Sequence, residues 1–278
     1  MTDLLADPFA DAGPDWMAGR TALVTGGGQD GGELPGVGYA TAVVLAGHGA
    51  RVAVVDRDLA AAQRTVERIE KAGGEAVAVV ADVTADAACA RAVDAVVERF
   101  GALDALDNNV ALGDRAGLFE VTPDRWDELM SINLKSAWQV TRHAVAAMPS
   151  GAAIVNVSSV GASARGPGMV YNVAKAGLEN LTVGAAATLG AQGIRVNTVQ
   201  VGAIWGAFAA RNMSEDMRER RRGMIGLGTE GTSWDIAHAA LFLLSDRARW
   251  VSGHTLTVEG GPPRRFPPGP PVRSAVTG

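Results

Sequence analysis

The chain has 278 residues, of which 47% are hydrophobic, 5% aromatic and 20% charged, enough to bury a large core and to exclude wholesale disorder. A net charge of −5 leaves no basic field for nucleic acid or an anionic membrane. The single cysteine, Cys89, excludes an internal disulfide framework and a cysteine-built metal site.

The acidic N-terminal stretch has no positive region of the signal-peptide kind, and no apolar run is long enough to cross a bilayer, so the expected location is the cytoplasm. Residues 1–18 and the Pro/Gly-rich end after Gly260 lack periodicity and read as tails, the C-terminal one covering 262–278. Between them, over 19–261, strands and helices alternate in one domain. Thr21–Thr25 is a buried strand, followed by a glycine-rich stretch and a helix from Gly38 to Ala46. Strand Arg51–Asp56 precedes helix Leu59–Ala72, strand Glu75–Ala81 precedes helix Ala85–Phe100, and Leu103–Asn108 is the fourth strand. Thr122-Pro123, a cap followed by proline at the first helical position, opens one long helix to Met148. Strand Ala153–Ser158, helix Val170–Gly190, strand Arg195–Val201, helix Trp234–Leu244 and strand His254–Val258 complete the order. This alternation implies right-handed crossovers and a doubly wound, Rossmann-type α/β fold: a parallel sheet of about seven strands with helices on both faces. Ligands of such sheets lie beyond the carboxyl ends of the strands, so chemistry is sought there.

After the first strand runs a glycine-rich loop, with Gly36 and Gly38 abutting the helix. Backbone without Cβ admits a pyrophosphate closely, and a helix N-terminus offers it free N–H groups; a merely flexible loop has the same composition. Asp56 ends the second strand 18 residues past Gly38, near the spacing of an acid that binds the adenosine ribose hydroxyls. A carboxylate there disfavours a 2′-phosphate, so NAD(H) is preferred, while Arg57 beside it leaves NADP(H) open. Tyr171 and Lys175, one of two tyrosines and one of three lysines, stand four apart and share a helix face. An ammonium beside a phenol lowers the phenol pKa, and a phenol so tuned exchanges a proton with a carbinol oxygen. Ser158 and Ser159 close the fifth strand, where a hydroxyl can meet a substrate oxygen, and Asn133, a poor helix former inside the long helix, can hold a water feeding Lys175.

Together these residues resemble the classical short-chain dehydrogenase/reductase family over roughly residues 17–261. The family's glycine motif resembles Thr25-Gly26 with Gly36-Val37-Gly38, its strand-two acid Asp56, its adenine-contacting pair Asp82-Val83, and its strand-four motif Asn108-Asn109-Val110-Ala111. Its catalytic Asn, Ser, Tyr and Lys fall on Asn133, Ser159, Tyr171 and Lys175, and Leu256–Gly261 matches its closing pattern. The resemblance implies reversible hydride transfer between a nicotinamide and a carbonyl or secondary alcohol. Tyr171 would be general acid/base, Lys175 would lower its pKa and bind the nicotinamide ribose, Ser159 would orient the substrate oxygen and Asn133 would hold a relay water. It further implies a substrate lid over 205–229. The lid's Trp205, Phe208, Met213, Met217, Met224 and Ile225 suggest a substrate with hydrophobic bulk; its run Arg218–Arg222 reads as a solvated helix face in preference to a clamp for an anionic substrate.

Four departures from the family pattern stand out. The glycine loop carries extra residues, including Asp30 and Glu33, that suggest an outward flap. Asp107 replaces an apolar strand residue and, if buried, needs a partner or a proton. Val201-Gly202 and Gly206 replace Pro-Gly and a threonine, which shifts nicotinamide anchoring to backbone around Ile204. The ungapped strand selects Ser159, whereas the usual interval back from Tyr171 selects Ser158; the strand register is preferred. Related enoyl reductases place the tyrosine seven residues before the lysine, where this chain has Gly168. A redox-neutral biosynthetic enzyme and a non-catalytic dinucleotide sensor are the alternative functions. Many small residues on the helices at 123–148 and 170–190, read with the family's habit, imply a homotetramer, or a dimer if the C-terminal tail blocks the second interface.

Overall fold

The computed structural model describes residues 15–163, 167–211 and 213–261. Short stretches rich in Val, Ala, Leu and Thr are strands, and those in the middle of the sheet are buried on both faces even where they carry polar residues. They form β1 (Thr21–Thr25), β2 (Arg51–Asp56), β3 (Glu75–Val80), β4 (Ala105–Asn108), β5 (Ala153–Ser159) and β6 (Arg195–Val201). The crossovers are α1 (Val37–Gly47), α2 (Leu59–Lys71), α3 (Asp86–Phe100), α4 (Pro123–Met130), α5 (Ser136–Ala144) and α6 (Met169–Leu189). Beyond β6 come the short strand β7 (Ile204–Trp205), helices α7 (Ala207–Ala210) and α8 (Glu215–Gly223), β8 (Gly231–Thr232), α9 (Ser233–Leu244) and β9 (Thr255–Val258). Seven parallel strands lie in the order β3-β2-β1-β4-β5-β6-β9, with β7 and β8 paired separately. The chain order reverses between β1 and β4, which opens a crevice at their carboxyl ends.

Register decides which side chains meet which layer. The row Ala53–Leu23–Leu106–Ile154–Val196 packs under α3, α5 and α6. Its neighbour one residue along, Val54–Val24–Asp107–Val155, faces the other side, where α1, α2 and α9 bury Val44, Leu45, Ile69, Ile236 and Leu241. Asp107 therefore stands in an aliphatic row, fully buried, and neither carboxyl oxygen has a well-formed hydrogen bond. Burial pushes its pKa up from 3.8 to about 7, opposed only by the nearby Thr41 hydroxyl on α1. Of the two outcomes anticipated for it, a partner or a proton, the packing selects the proton.

Some boundaries differ from the sequence reading. The expected helix over 123–148 runs without a break to Ala147 but is not one regular α-helix: α4 starts at the Thr122 cap, whose hydroxyl accepts from the Arg125 N–H at 3.2 Å, and Ser131–Lys135 form a π-helical turn before α5. Asn133 sits in that turn, where its side chain finds backbone partners off the helix. The N-terminal tail expected over residues 1–18 ends sooner: Met17 is fully buried in the α1/α9 layer and its N–H donates to the His48 carbonyl at 2.9 Å. Residues 1–14 and the expected C-terminal tail at 262–278 lie outside the described residues.

Candidate active site

A cavity of about 910 Å³ opens over the carboxyl ends of the strands at the reversal point. It is lined by Gly26, Gly36, Val37, Gly38, Asp56, Asp82, Val83, Asn109, Ser159, Tyr171, Lys175 and Ile204; of the expected catalytic and cofactor-binding residues, Asn133 alone does not line it, and of the expected apolar lid residues Phe208 and not Trp205, Met213, Met217, Met224 or Ile225 does. Its size lies within the roughly 300–1,000 Å³ of ligand pockets.

The nucleotide end is built from backbone. Gly38 opens α1 so close to β1 that a Cβ would lie 2.3 Å from the Gly26 carbonyl oxygen and 2.4 Å from Asn109 Nδ2, so only glycine fits. Asn109 locks the crossing: its N–H donates to Thr25 Oγ1 at 3.0 Å and its Nδ2 to the Gly26 carbonyl at 3.2 Å. The first turn of α1 is thereby aimed into the cavity as a phosphate cradle. Asp56 is oriented by two amides, from Gly28 to Oδ2 at 3.0 Å and from Asp58 to Oδ1 at 3.1 Å. The Asp82 carboxyl accepts from the Thr84 hydroxyl and N–H, at 2.6 and 2.9 Å, and these bonds hold it below the usual carboxylate range. A dinucleotide fits this arrangement: a glycine cradle for its pyrophosphate, with a fixed carboxylate at the strand-two end.

The extra residues of the glycine loop do not swing free as a flap. Their tip is exposed, but Gln29 donates its N–H to the Ala61 carbonyl and Arg64 Nε donates to the Gln29 carbonyl at 2.7 Å, which pins the loop to α2. On the other side Asp30 pairs with Arg211 of the lid at 3.2 Å, and the Pro35 carbonyl accepts from Ser233 Oγ and the Ala207 N–H. This explains Gly206: a Cβ there would meet Ser233 Oγ at 2.6 Å and the Pro35 carbonyl at 3.1 Å, so the family's threonine has no room. The expected anchoring by Ile204 backbone is already committed, since its N–H donates to the Gly202 carbonyl and its carbonyl accepts from Arg221 Nη1, both at 3.0 Å.

The chemical end lies where β5 meets α6. Successive strand residues point to opposite faces, and this separates the two serines. Ser158 Oγ is buried and spent on Glu179 Oε1 at 2.7 Å, whereas the Ser159 hydroxyl faces Tyr171. One helical turn from Tyr171, Lys175 is 1% exposed; its Nζ donates to the Val157 carbonyl at 2.8 Å and lies 5.8 Å from the tyrosine ring centroid. Burial brings the Lys175 pKa down to about 8. Burial also pushes Tyr171 up from 10, with only the Ser159 hydrogen bond pulling the other way. The expected lowering by Lys175 is thus not met in this arrangement, because the ammonium is aimed at the Val157 carbonyl and the burial of the phenol outweighs the other influences on it. Phe208, in the expected lid segment, is stacked on Tyr171 with centroids 6.4 Å apart and packed against Gly113.

Asn133 acts from behind. Its Oδ1 accepts from the Leu112 N–H and its Nδ2 donates to the Leu112 and Leu129 carbonyls, at 2.9–3.0 Å. The carboxamide therefore ties the loop after β4 to the π turn and has no donor left for a relay water. Residues that the sequence did not single out as ligands also line the cavity: Arg125, Glu128, Arg211 and Arg221. Only tertiary folding reveals them: Arg125, Glu128 and Arg221 lie in charged, helix-like stretches that read as solvated surface, and Arg211 follows the apolar run 207–210.

A family model described as Enoyl-(Acyl carrier protein) reductase matches residues 32–262. The 2,5-dichloro-2,5-cyclohexadiene-1,4-diol dehydrogenase LinX of Sphingobium indicum is 31% identical over 248 residues, 88% of this chain and 96% of that protein. The 3-oxoacyl-[acyl-carrier-protein] reductase FabG of Staphylococcus aureus is 35% identical over 247 residues, 87% of this chain and 97% of the relative. Among solved structures, a short chain dehydrogenase from Burkholderia cenocepacia in complex with NADP superposes with a TM-score of 0.81 at 32% identity, covering 88% of this chain and 98% of the other. The chain belongs to the short-chain dehydrogenase/reductase family and is an NAD(P)-dependent oxidoreductase. Its relatives act on alcohols and carbonyl compounds. The tyrosine position of the enoyl reductases is sterically closed here: Gly168 has φ +94° and a Cβ would lie 2.1 Å from the Asp114 carbonyl oxygen.

Proposed function

We propose that the protein interconverts a carbonyl and a secondary alcohol on a small molecule, with Tyr171 as the proton donor and acceptor and NAD(H) preferred to NADP(H). The observation that carries this reading is the grouping of Tyr171, Ser159 and Lys175 under Phe208 at one end of a cavity whose other end is a glycine cradle beside Asp56. Bound nicotinamide supplies the hydride or accepts it. Tyr171, held as the neutral phenol by its surroundings, gives its Oη proton to the substrate oxygen as the carbonyl carbon is reduced, and takes it back in the reverse direction. Ser159 donates a hydrogen bond to the same oxygen and sets its distance from the phenol. Lys175 fixes the α6 turn against β5 through its bond to the Val157 carbonyl and so sets the position of Tyr171 one turn away. Asn133 is a positioning residue that holds the loop carrying Gly113 in place beneath Phe208. Asp56 favours NAD(H), because a 2′-phosphate would approach a carboxylate whose orientation is set by two amides.

Assembly is read in the same way: a homotetramer, ahead of a dimer. Some small residues of α5 and α6, Ala144 and Ala174 among them, are buried inside the protein. Others, Ala176, Gly184 and Ala187, are exposed beside Trp138, Val173 and Val183, which is how a helix face prepared for a copy of itself is composed. At the β9 edge Trp250 is 92% exposed and supports a second contact. No helix among the described residues is long and apolar enough to cross a membrane; a cytoplasmic location is part of this reading.

Incubation with NAD(H) and a panel of ketones and secondary alcohols, followed by nicotinamide absorbance, tests the chemistry. Turnover that falls about a hundredfold or more in Tyr171→Phe, with the circular dichroism melt unchanged, is expected. Near-native turnover in that variant would assign the proton to another group. Cofactor binding with no turnover across the panel would favour a dinucleotide sensor.

A further inference from the structure

The arginines of α8 do not share one fate. Arg222 pairs with Glu219 on the surface and Arg220 is exposed, as a solvated helix face requires. Arg218 turns inward onto Glu230, with Nε and Nη2 at 3.0 and 2.7 Å from Oε2, and lies 4.0 Å over the Trp205 ring. Arg221 turns into the cavity itself. Its Nη1 donates to the Ile204 carbonyl at 3.0 Å and lies 3.9 Å from Met213 Sδ, and among the described residues no other of its N–H groups has a protein acceptor.

Its charge is also unspent. Among the described residues Arg221 forms no ion pair: Glu230, the carboxylate close enough to act on it, is occupied by Arg218. Of the other arginines that line the cavity, Arg125 is taken by Asp114 at 2.8 Å and Glu128 at 2.6 Å, and Arg211 by Asp30 at 3.2 Å. Arg115, which repels Arg221, is exposed and forms no ion pair among the described residues, so it offers Arg221 no neutralising partner. Burial depresses the Arg221 pKa, in keeping with a guanidinium held largely out of water. A desolvated charge without a partner is costly, and an anion arriving opposite it recovers that cost.

We propose that Arg221 recognises a carboxylate on the substrate, so that the enzyme acts on oxo and hydroxy acids in preference to neutral ketones and alcohols. The free Nε and Nη2 hydrogens are two parallel donors, the geometry that matches a carboxylate in a bidentate pair. The Ile204 carbonyl fixes the guanidinium in the cavity wall and leaves that edge available. This inference rests on the hydride-transfer reading and assigns the substrate class to the same site.

The test compares short- and medium-chain oxo acids, starting with 4-oxopentanoate, with their methyl esters. For the intact enzyme with NADH, kcat/KM for the best acid should exceed that for its ester by about tenfold or more. Arg221→Met should collapse the ratio, Arg221→Lys should restore part of it, and Arg220→Met should leave it unchanged. Calorimetric titration of the enzyme–NAD(H) complex with the same acids reads recognition without turnover. Esters turned over as well as acids, or a ratio intact in Arg221→Met, would overturn the inference while leaving the hydride-transfer reading in place. Arg221-dependent binding of acids with no turnover would uphold it and reject that reading. A loss of NAD(H) affinity of about tenfold in Arg221→Met, with acid preference retained, would assign the guanidinium to the cofactor and overturn the proposal.

Discussion

Replacing Asp107 by valine should stabilise the protein, and by an amount that grows with pH. In the folded chain the carboxyl lies between Val24 and Val155 with no well-formed hydrogen bond, and its pKa is near 7 against 3.8 for the free group. The folded state thus binds the proton more tightly than the unfolded state. The favourable contribution of the protonated acid is fully present below pH 3.8 and is lost as pH rises through about 7. A shift of about three units corresponds to about 4 kcal/mol, a large part of the roughly 5–15 kcal/mol that holds a domain together. By the same linkage, the part lost between pH 5 and pH 8 is about 2–3 kcal/mol. Valine carries no titration, continues the aliphatic row and keeps a similar shape. Urea unfolding of both proteins at one concentration and ionic strength, at a series of pH values from 5 to 8, gives the difference in stability at each pH. Contributions from groups present in both proteins cancel in the difference. The gap between variant and parent should widen by about 2–3 kcal/mol over this range. A gap constant within about 0.5 kcal/mol would show that Asp107 does not change protonation there, and would refute the account of it as a buried acid kept neutral by its surroundings.

Asp56→Ala should narrow the preference for NAD(H) over NADP(H), measured by calorimetric titration with both cofactors; tighter NADP(H) binding by the unaltered protein would sink that reading. Gly168→Ala places a Cβ against the Asp114 carbonyl at φ +94° and should cost about 2 kcal/mol or more of stability, read from urea midpoints. Ser159→Ala should lower kcat, while Ser158→Ala, which removes a hydrogen bond to Glu179, should act mainly on stability; the reverse pattern would restore the serine register that the geometry rejects. Light scattering should return the mass of a tetramer; a mass near 28.6 kDa would reject assembly, and twice that would point to the C-terminal tail as the obstruction of the second interface.

The sequence by itself determined the sheet and which residues its cavity gathers. Strand identity followed from apolar runs of β-branched residues, and the site residues were legible because each follows a strand or lies one helical turn from another. Local rules of that kind need no knowledge of what is packed on top. What only the tertiary structure decided depends on which distant groups meet. Ser158 and Ser159 are chemically identical until the sheet assigns one to Glu179 and the other to Tyr171. The glycine-loop insertion looked like a free flap because its anchors, Arg64, Arg211 and Ser233, lie far along the chain. Asn133 was legible as an oddity in a helix, but that its carboxamide belongs to Leu112 depends on the loop folding back. Arg221 was indistinguishable from its neighbours in a charged run, because helix phase sets which arginine faces inward, and the position of the cavity sets what inward means. Charge and burial are properties of surroundings, so the pKa values of Asp107, Tyr171 and Lys175 became readable only once the layers above and below the sheet were in place.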